Sequence, residues 1–104
     1  MNTVQRTILD QLRALNPFYL ADYEIKDIVT IGENTVRLCM RGSEHVNADI
    51  TFDGGQDLYN VSAHRLRNHG LDLKKIYEIE GIFWEQLDET LKLVVETASS
   101  ELFG

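Results

Sequence analysis

The chain has 104 residues, 43% of them apolar, and a formal net charge of −7 from seventeen acids against ten bases. That is one domain with a single modest core. The charge disfavours direct nucleic-acid binding and adhesion to an anionic membrane. No run approaches the ~18 apolar residues a membrane helix needs, and the polar-interrupted start, MNTVQRTILDQL, predicts no secretory leader. Cys39 is the sole cysteine, so no internal disulfide forms. A cytoplasmic protein without a cofactor is expected.

Charge is unevenly distributed. Residues 23–57 carry three bases against seven acids, 58–75 carry four bases against one acid, and 76–104 carry one base against seven acids. A small basic island, Arg65, Arg67, Lys74 and Lys75, therefore precedes an acidic C-terminal third.

In chain order, Val4, Ile8, Leu12 and Leu15 recur at helical spacing and predict a helix over 1–16. Asn2 and Gln5 form its capping box, and Pro17 stops it. After the connector FYLADY the period changes to two. EIKDIVTI and TVRLCMR read as strands joined by the turn Gly32-Glu33-Asn34, with Val36, Leu38 and Met40 facing inward. VNADITF alternates strictly, Val46, Ala48, Ile50 and Phe52 against Asn47, Asp49 and Thr51.

The segment DITFDGGQDLYN has a calcium-loop rhythm. Its upstream flank is nevertheless a strand, and Asn60 stands where a bidentate Glu belongs. It reads as a hairpin in which Asp53, Gly54 and Gly55 supply the positive-φ residues. DLYNVSAHRL is then the next strand and RNHG the next turn. LDLKKIYEIEG is the last strand, with Leu71, Leu73, Tyr77 and Ile79 inward. Its imperfect alternation predicts a bulge or an edge, which the two lysines would protect. A helix over 82–98 follows. Phe83, Leu87, Leu91, Val94 and Ala98 form its apolar stripe, widened by Trp84 and Val95, and Glu85, Asp88, Glu89 and Glu96 lie opposite. Residues 99–104 are expected to fray.

The expected fold is a single α+β domain: an N-terminal helix, an antiparallel meander sheet of four or five strands over 24–80, and a C-terminal amphipathic helix. Both helices cover one sheet face. The other face would carry Arg37, Cys39, Arg41, Asn47, Asp49, Thr51, Asn60, Ser62 and His64.

Three stretches, TILDQL, ADITFDGGQDLYNV and LDLKKIYEIEGIFWEQLDETL, resemble small α+β proteins of phages, plasmids and other bacterial mobile elements. Those proteins share a TIL-x-QL-like helix, an ITLNGxDLYDV-like hairpin and a KKV-E-x-x-x-VY-x-DxL junction. The resemblance covers roughly residues 5–93. It implies an accessory gene on mobile DNA and no assigned activity.

Candidate chemistry is sparse. Two histidines, His64 and His69, plus Cys39 make a thin metal set without motif spacing. Cys39 would be nucleophilic if Arg37 and Arg41 lowered its pKa and His64 served as base. That defines one reading, a ligand pocket or minor enzyme site at Cys39, Asp49 and His64. A second uses the basic island with Tyr59 or Tyr77 stacking on nucleic acid, against the net charge. The favoured reading is a non-enzymatic protein binder. Glu85, Asp88 and Glu89 would form an acidic face able to mimic nucleic acid and block a host enzyme, beside Trp84 and Tyr77 as aromatic anchors. Nine apolar residues from Ile82 to Ala98 and a bare strand edge favour a homodimer.

Overall fold

The computed structural model describes residues 1–40, 46–67 and 72–103. It has helix α1 (Thr3–Leu15), the single turn α2 (Tyr19–Asp22), and strands β1 (Ile25–Ile31), β2 (Thr35–Met40), β3 (Val46–Asp53), β4 (Leu58–Arg67) and β5 (Asp72–Ile82). A 3-10 turn, Trp84–Gln86, leads into α3 (Leu87–Phe103). The strands form one antiparallel sheet in the order β1-β2-β3-β4-β5. Short connections leave a meander as the simplest pairing.

The alternating strands bury the residues their period selects. Val36, Leu38, Met40, Val46, Ala48, Ile50, Val61 and Ala63 join Ile8 and Leu12 of α1 and Leu87, Leu91, Val94 and Ala98 of α3 in one core. α3 lies across β3, β4 and β5, and α1 packs beside it on β2 and β3. Among the described residues the opposite sheet face has no helix on it.

Several local expectations are corrected. Val4 is exposed at the edge of α1, and Gln5 takes the buried place, 2% exposed. The Gln5 amide completes the capping box with Asn2 and donates to the carbonyls of Gly32 and Thr35, both at 3.1 Å. Burial of that amide is tolerated because its hydrogen bonds are made. The hairpin between β3 and β4 stands, but its left-handed residue is Asp57 (φ 59) rather than a glycine, with Asp53 Oδ1 accepting from Gly55 N.

Strand β5 runs to Ile82, so the final helix begins later than position 82, and Phe83 lies outside it. Past position 98 the helix continues to Phe103, and no glycine or proline interrupts 99–103. Within β5, Ile79 turns inward as expected and Ile76 and Ile82 do so as well, while Tyr77 is 38% exposed. Two bulges explain this. Each inserts one extra residue on β5, opposite Asn60 and between Ala63 and His64. At the first, Gly81 takes φ 70, which suits a glycine, and Asn60 Oδ1 accepts from its N–H at 3.0 Å. The expected inward position Leu71 and residues 68–70 of the turn RNHG lie outside the described residues, as does the side chain of Leu73.

Candidate functional site

The corner between β5 and α3 is built by a change of backbone. Ile82 is the last strand residue and is buried, pairing with Tyr59. Phe83 is extended, and its N–H donates to Gln86 Oε1 at 3.1 Å while Gln86 N–H returns to the Phe83 carbonyl at 2.9 Å. These two bonds close the turn and fix Phe83 and Trp84 at its outer side. Phe83 is 61% exposed and Trp84 39%. Glu85 and Glu89, one helical turn apart, are exposed beside them.

The remaining members of the predicted partner face are elsewhere. Asp88 is half-buried and already bonded: its carboxylate accepts from Tyr23 Oη at 2.8 Å and from Asn16 Nδ2 at 3.2 Å. Burial and that bond to Asp88 push the Tyr23 phenol far above its ordinary range, so it remains a donor. Asp88 ties α3 to the α1–β1 connector and is not free for a partner. Tyr77 lies six residues back along β5 from Phe83, about 20 Å of extended strand. Tyr59 is near the corner but buried in the core, where its hydroxyl meets Gln11.

The open sheet face assembles the second predicted set. Cross-strand register places Cys39, Asn47, His64 and Lys75 in one row and Arg37, Asp49, Ser62 and Glu78 in the next. Arg37 clasps Asp49 through two parallel bonds, Nε to Oδ1 at 2.8 Å and Nη2 to Oδ2 at 2.9 Å. The neighbouring carboxylate raises the Arg37 pKa against the effect of burial. His64 Nε2 lies 2.9 Å from Ser62 Oγ and 3.5 Å from Asp49 Oδ2. Arg41 and His69 lie outside the described residues.

These contacts do not build a Ser-His-Asp relay. A Ser-His-Asp relay needs hydroxyl and carboxylate on opposite ring nitrogens; here both face Nε2, and the carboxylate belongs to Arg37. The Cys39 thiol is pushed up, by burial first and then by Asp27, which is the direction opposite to the activation that the nucleophile reading needs. Among the described residues every buried side-chain polar atom has a partner. The cluster is a completed internal network.

Burial lowers the His64 pKa below its ordinary value of 6.5, opposed by Asp49 and assisted by Arg37 and Lys75. The folded protein therefore binds fewer protons at His64 than the unfolded chain does. Stability from this group is complete above pH 6.5 and is lost as pH falls from there through the folded pKa. Urea unfolding from about pH 7.5 to about pH 5 is expected to show a falling midpoint, with a shallower fall in His64→Gln. Equal slopes would show that other groups carry the dependence.

The basic island divides. Arg65 pairs with Lys74, and Lys75 pairs with His64 on the open face. Successive strand residues point to opposite sides, so Lys74 and Lys75 do not form one strip. Lys75 is also engaged by Glu78 at 3.2 Å. Arg67 pairs through its backbone with Asp72.

Sequence reasoning groups Cys39, Asp49 and His64 and brings in Arg37 only as a cation beside Cys39, not as the partner of Asp49, and Ser62 only as a member of the polar face; these two residues complete the network. Their signal is present, since both fall on the predicted polar face, but the pairing needs the cross-strand register. Helical spacing alone assigns Phe83 to the core stripe, because it ends β5 too early.

Compared with known proteins, the chain matches no family model, no curated protein and no solved structure. No helix among the described residues is long and apolar enough to cross a membrane.

Proposed function

We propose that this protein is a non-catalytic binder of another protein, and that the strand-to-helix corner is its contact surface. The observation that carries the reading is the adjacent exposed pair Phe83 and Trp84, held by the Gln86 bonds and bordered by Glu85 and Glu89. Rigid aromatic side chains at a fixed turn bury large area with little loss of side-chain freedom, and such residues dominate interface energetics. The partner that fits is a protein with an apolar cleft rimmed by basic side chains. Carboxylate mimicry of a nucleic acid would rest on Glu85, Glu89 and Glu96, with Lys92 among them. The aromatic pair, rather than a charge row, is therefore the anchor. The resemblance to mobile-element proteins supplies the context of a bacterial accessory protein.

The test is capture of partners from bacterial lysate, with and without nuclease, followed by titration of the purified partner. Trp84→Ala is expected to weaken binding roughly thirtyfold, corresponding to about 2 kcal/mol. Glu85→Lys with Glu89→Lys should slow association and reduce its salt dependence, and Tyr77→Ala should leave binding intact. A partner indifferent to the corner variants, or one released by nuclease, would overturn the reading.

A further inference from the structure

We infer that the free edge of β1 pairs with β1 of a second copy, antiparallel about a two-fold axis near Ile28 and Val29, to give one continuous sheet of twice five strands. The sheet has two outer strands, β1 and β5, and they differ. β5 carries Lys74, Lys75, Glu78 and Glu80 and two bulges, the features that block edge-to-edge pairing. On β1 the irregularity and the charges, Lys26 and Asp27, are confined to its start; the register from Asp27 to Ile31 is unbroken, and Ile28, Val29, Thr30 and Ile31 are uncharged and β-branched. At its start the Ile28 N–H donates to Asp27 Oδ1 at 2.9 Å; beyond it, from Val29 to Ile31, the outward backbone groups of this outer strand are the ones another strand satisfies in order.

Exposed apolar side chains precede this edge in the chain, among acidic ones. Phe18 is 72% exposed and Leu20 51%. Leu20, Ala21, Glu24 and Ile25 line a hollow of about 230 Å³ at the start of β1. An axis near the strand centre brings Ile31 of each copy beside the hollow of the other.

Charge also favours a second copy in antiparallel sense. The start of β1 is flanked by Asp22, Glu24 and Asp27 against Lys26. Its end abuts the N-terminus of α1, since Asn2 Nδ2 donates to the Glu33 carbonyl at 2.7 Å. The first turn of α1 has no acidic residue and includes Arg6, leaving Glu33 as the acid at that end. Antiparallel pairing sets each acidic end against the positive helix end of the other copy, twice by symmetry. A standard interface takes about 800 Å² per partner, about an eighth of the 6243 Å² surface. The β1 edge with Leu20 and Ile25 is the stretch from which that area is drawn. The net charge of −7 on each copy opposes association, so added salt should strengthen it.

This inference is independent of the corner at Phe83 and Trp84, and it is read by mass rather than by partner capture. Light scattering and sedimentation over a wide concentration range are expected to show twice 11.9 kDa, dissociating on dilution and more stable at higher salt. Val29→Glu keeps a favourable neighbour within its own chain, because Val29 pairs with Arg37. It places two carboxylates at the seam, and should weaken the dimer roughly a hundredfold. Tyr77→Glu on β5 should leave the mass unchanged. Amide exchange of the unsubstituted protein gives a second readout: protection within residues 29–31 should rise with concentration. A monomer at every concentration and salt would overturn the proposal. So would a dimer that survives in folded Val29→Glu, one lost in Tyr77→Glu, or one that leaves the β1 amides unprotected.

Discussion

Asp49→Ala is expected to lower folding stability by about 3 kcal/mol, more than any other single change on the open sheet face. The side chains of Asp49 and Arg37 are only 10% and 18% exposed, and the carboxylate is the one acid bonded to that guanidinium among the described residues. Removing it strands a cation in a poorly hydrated place and also takes away the acid facing His64. The decisive comparison is with the double variant Arg37→Met and Asp49→Leu. Taking out both charges removes the stranded cation, so the double variant should recover most of the loss. Urea unfolding followed by circular dichroism measures both. A double variant as unstable as Asp49→Ala would mean that the ion pair itself, rather than the orphaned charge, stabilises the sheet.

Leu91→Ala is expected to cost about 3 kcal/mol as well, by a different route. Leu91 is fully buried in the second turn of α3, within the core that α3 closes over the sheet. Alanine is an equally good helix former, so the loss is apolar transfer plus the cavity left behind. Leu93, two positions along, is 50% exposed, and Leu93→Ala should stay within about 0.5 kcal/mol. Thermal and urea unfolding of the pair isolates burial from chemistry, because the substitution is identical. Similar losses at both sites would mean that Leu93 is covered in solution, as it would be in an assembly through α3.

The middle of the sheet is legible because β2, β3 and β4 alternate without interruption. Val36, Leu38, Val46, Ala48 and Ile50 are all buried where a period of two puts them. The last strand is less so. Its sequence shows an imperfect alternation, but which side chains turn inward depends on bulges fixed by Asn60 and by the pairing of Ala63 and His64 on the neighbouring strand. Asp88 is misplaced by sequence reasoning for a similar cause. Helical periodicity within α3 puts it on a polar side, and nothing local reveals that Asn16 and Tyr23 arrive from the first quarter of the chain to bond it. The ion pair between Arg37 and Asp49 also requires register. Type, face and turn are written in short stretches of sequence; partners across strands are not.

The meander order has a consequence for how the chain is made. Every strand pairs with its neighbour in sequence, so the sheet can grow hairpin by hairpin as the polypeptide leaves the ribosome, with little loop closure at each step. Helix α3 follows all five strands, and its Leu87, Leu91 and Val94 cover the sheet only after the strands exist. There is thus an interval in synthesis when Ile50 and Val61 have no α3 over them. Nascent chains caught in that interval present a sticky surface, and the time taken to translate α3 sets how long a chaperone has to shield it.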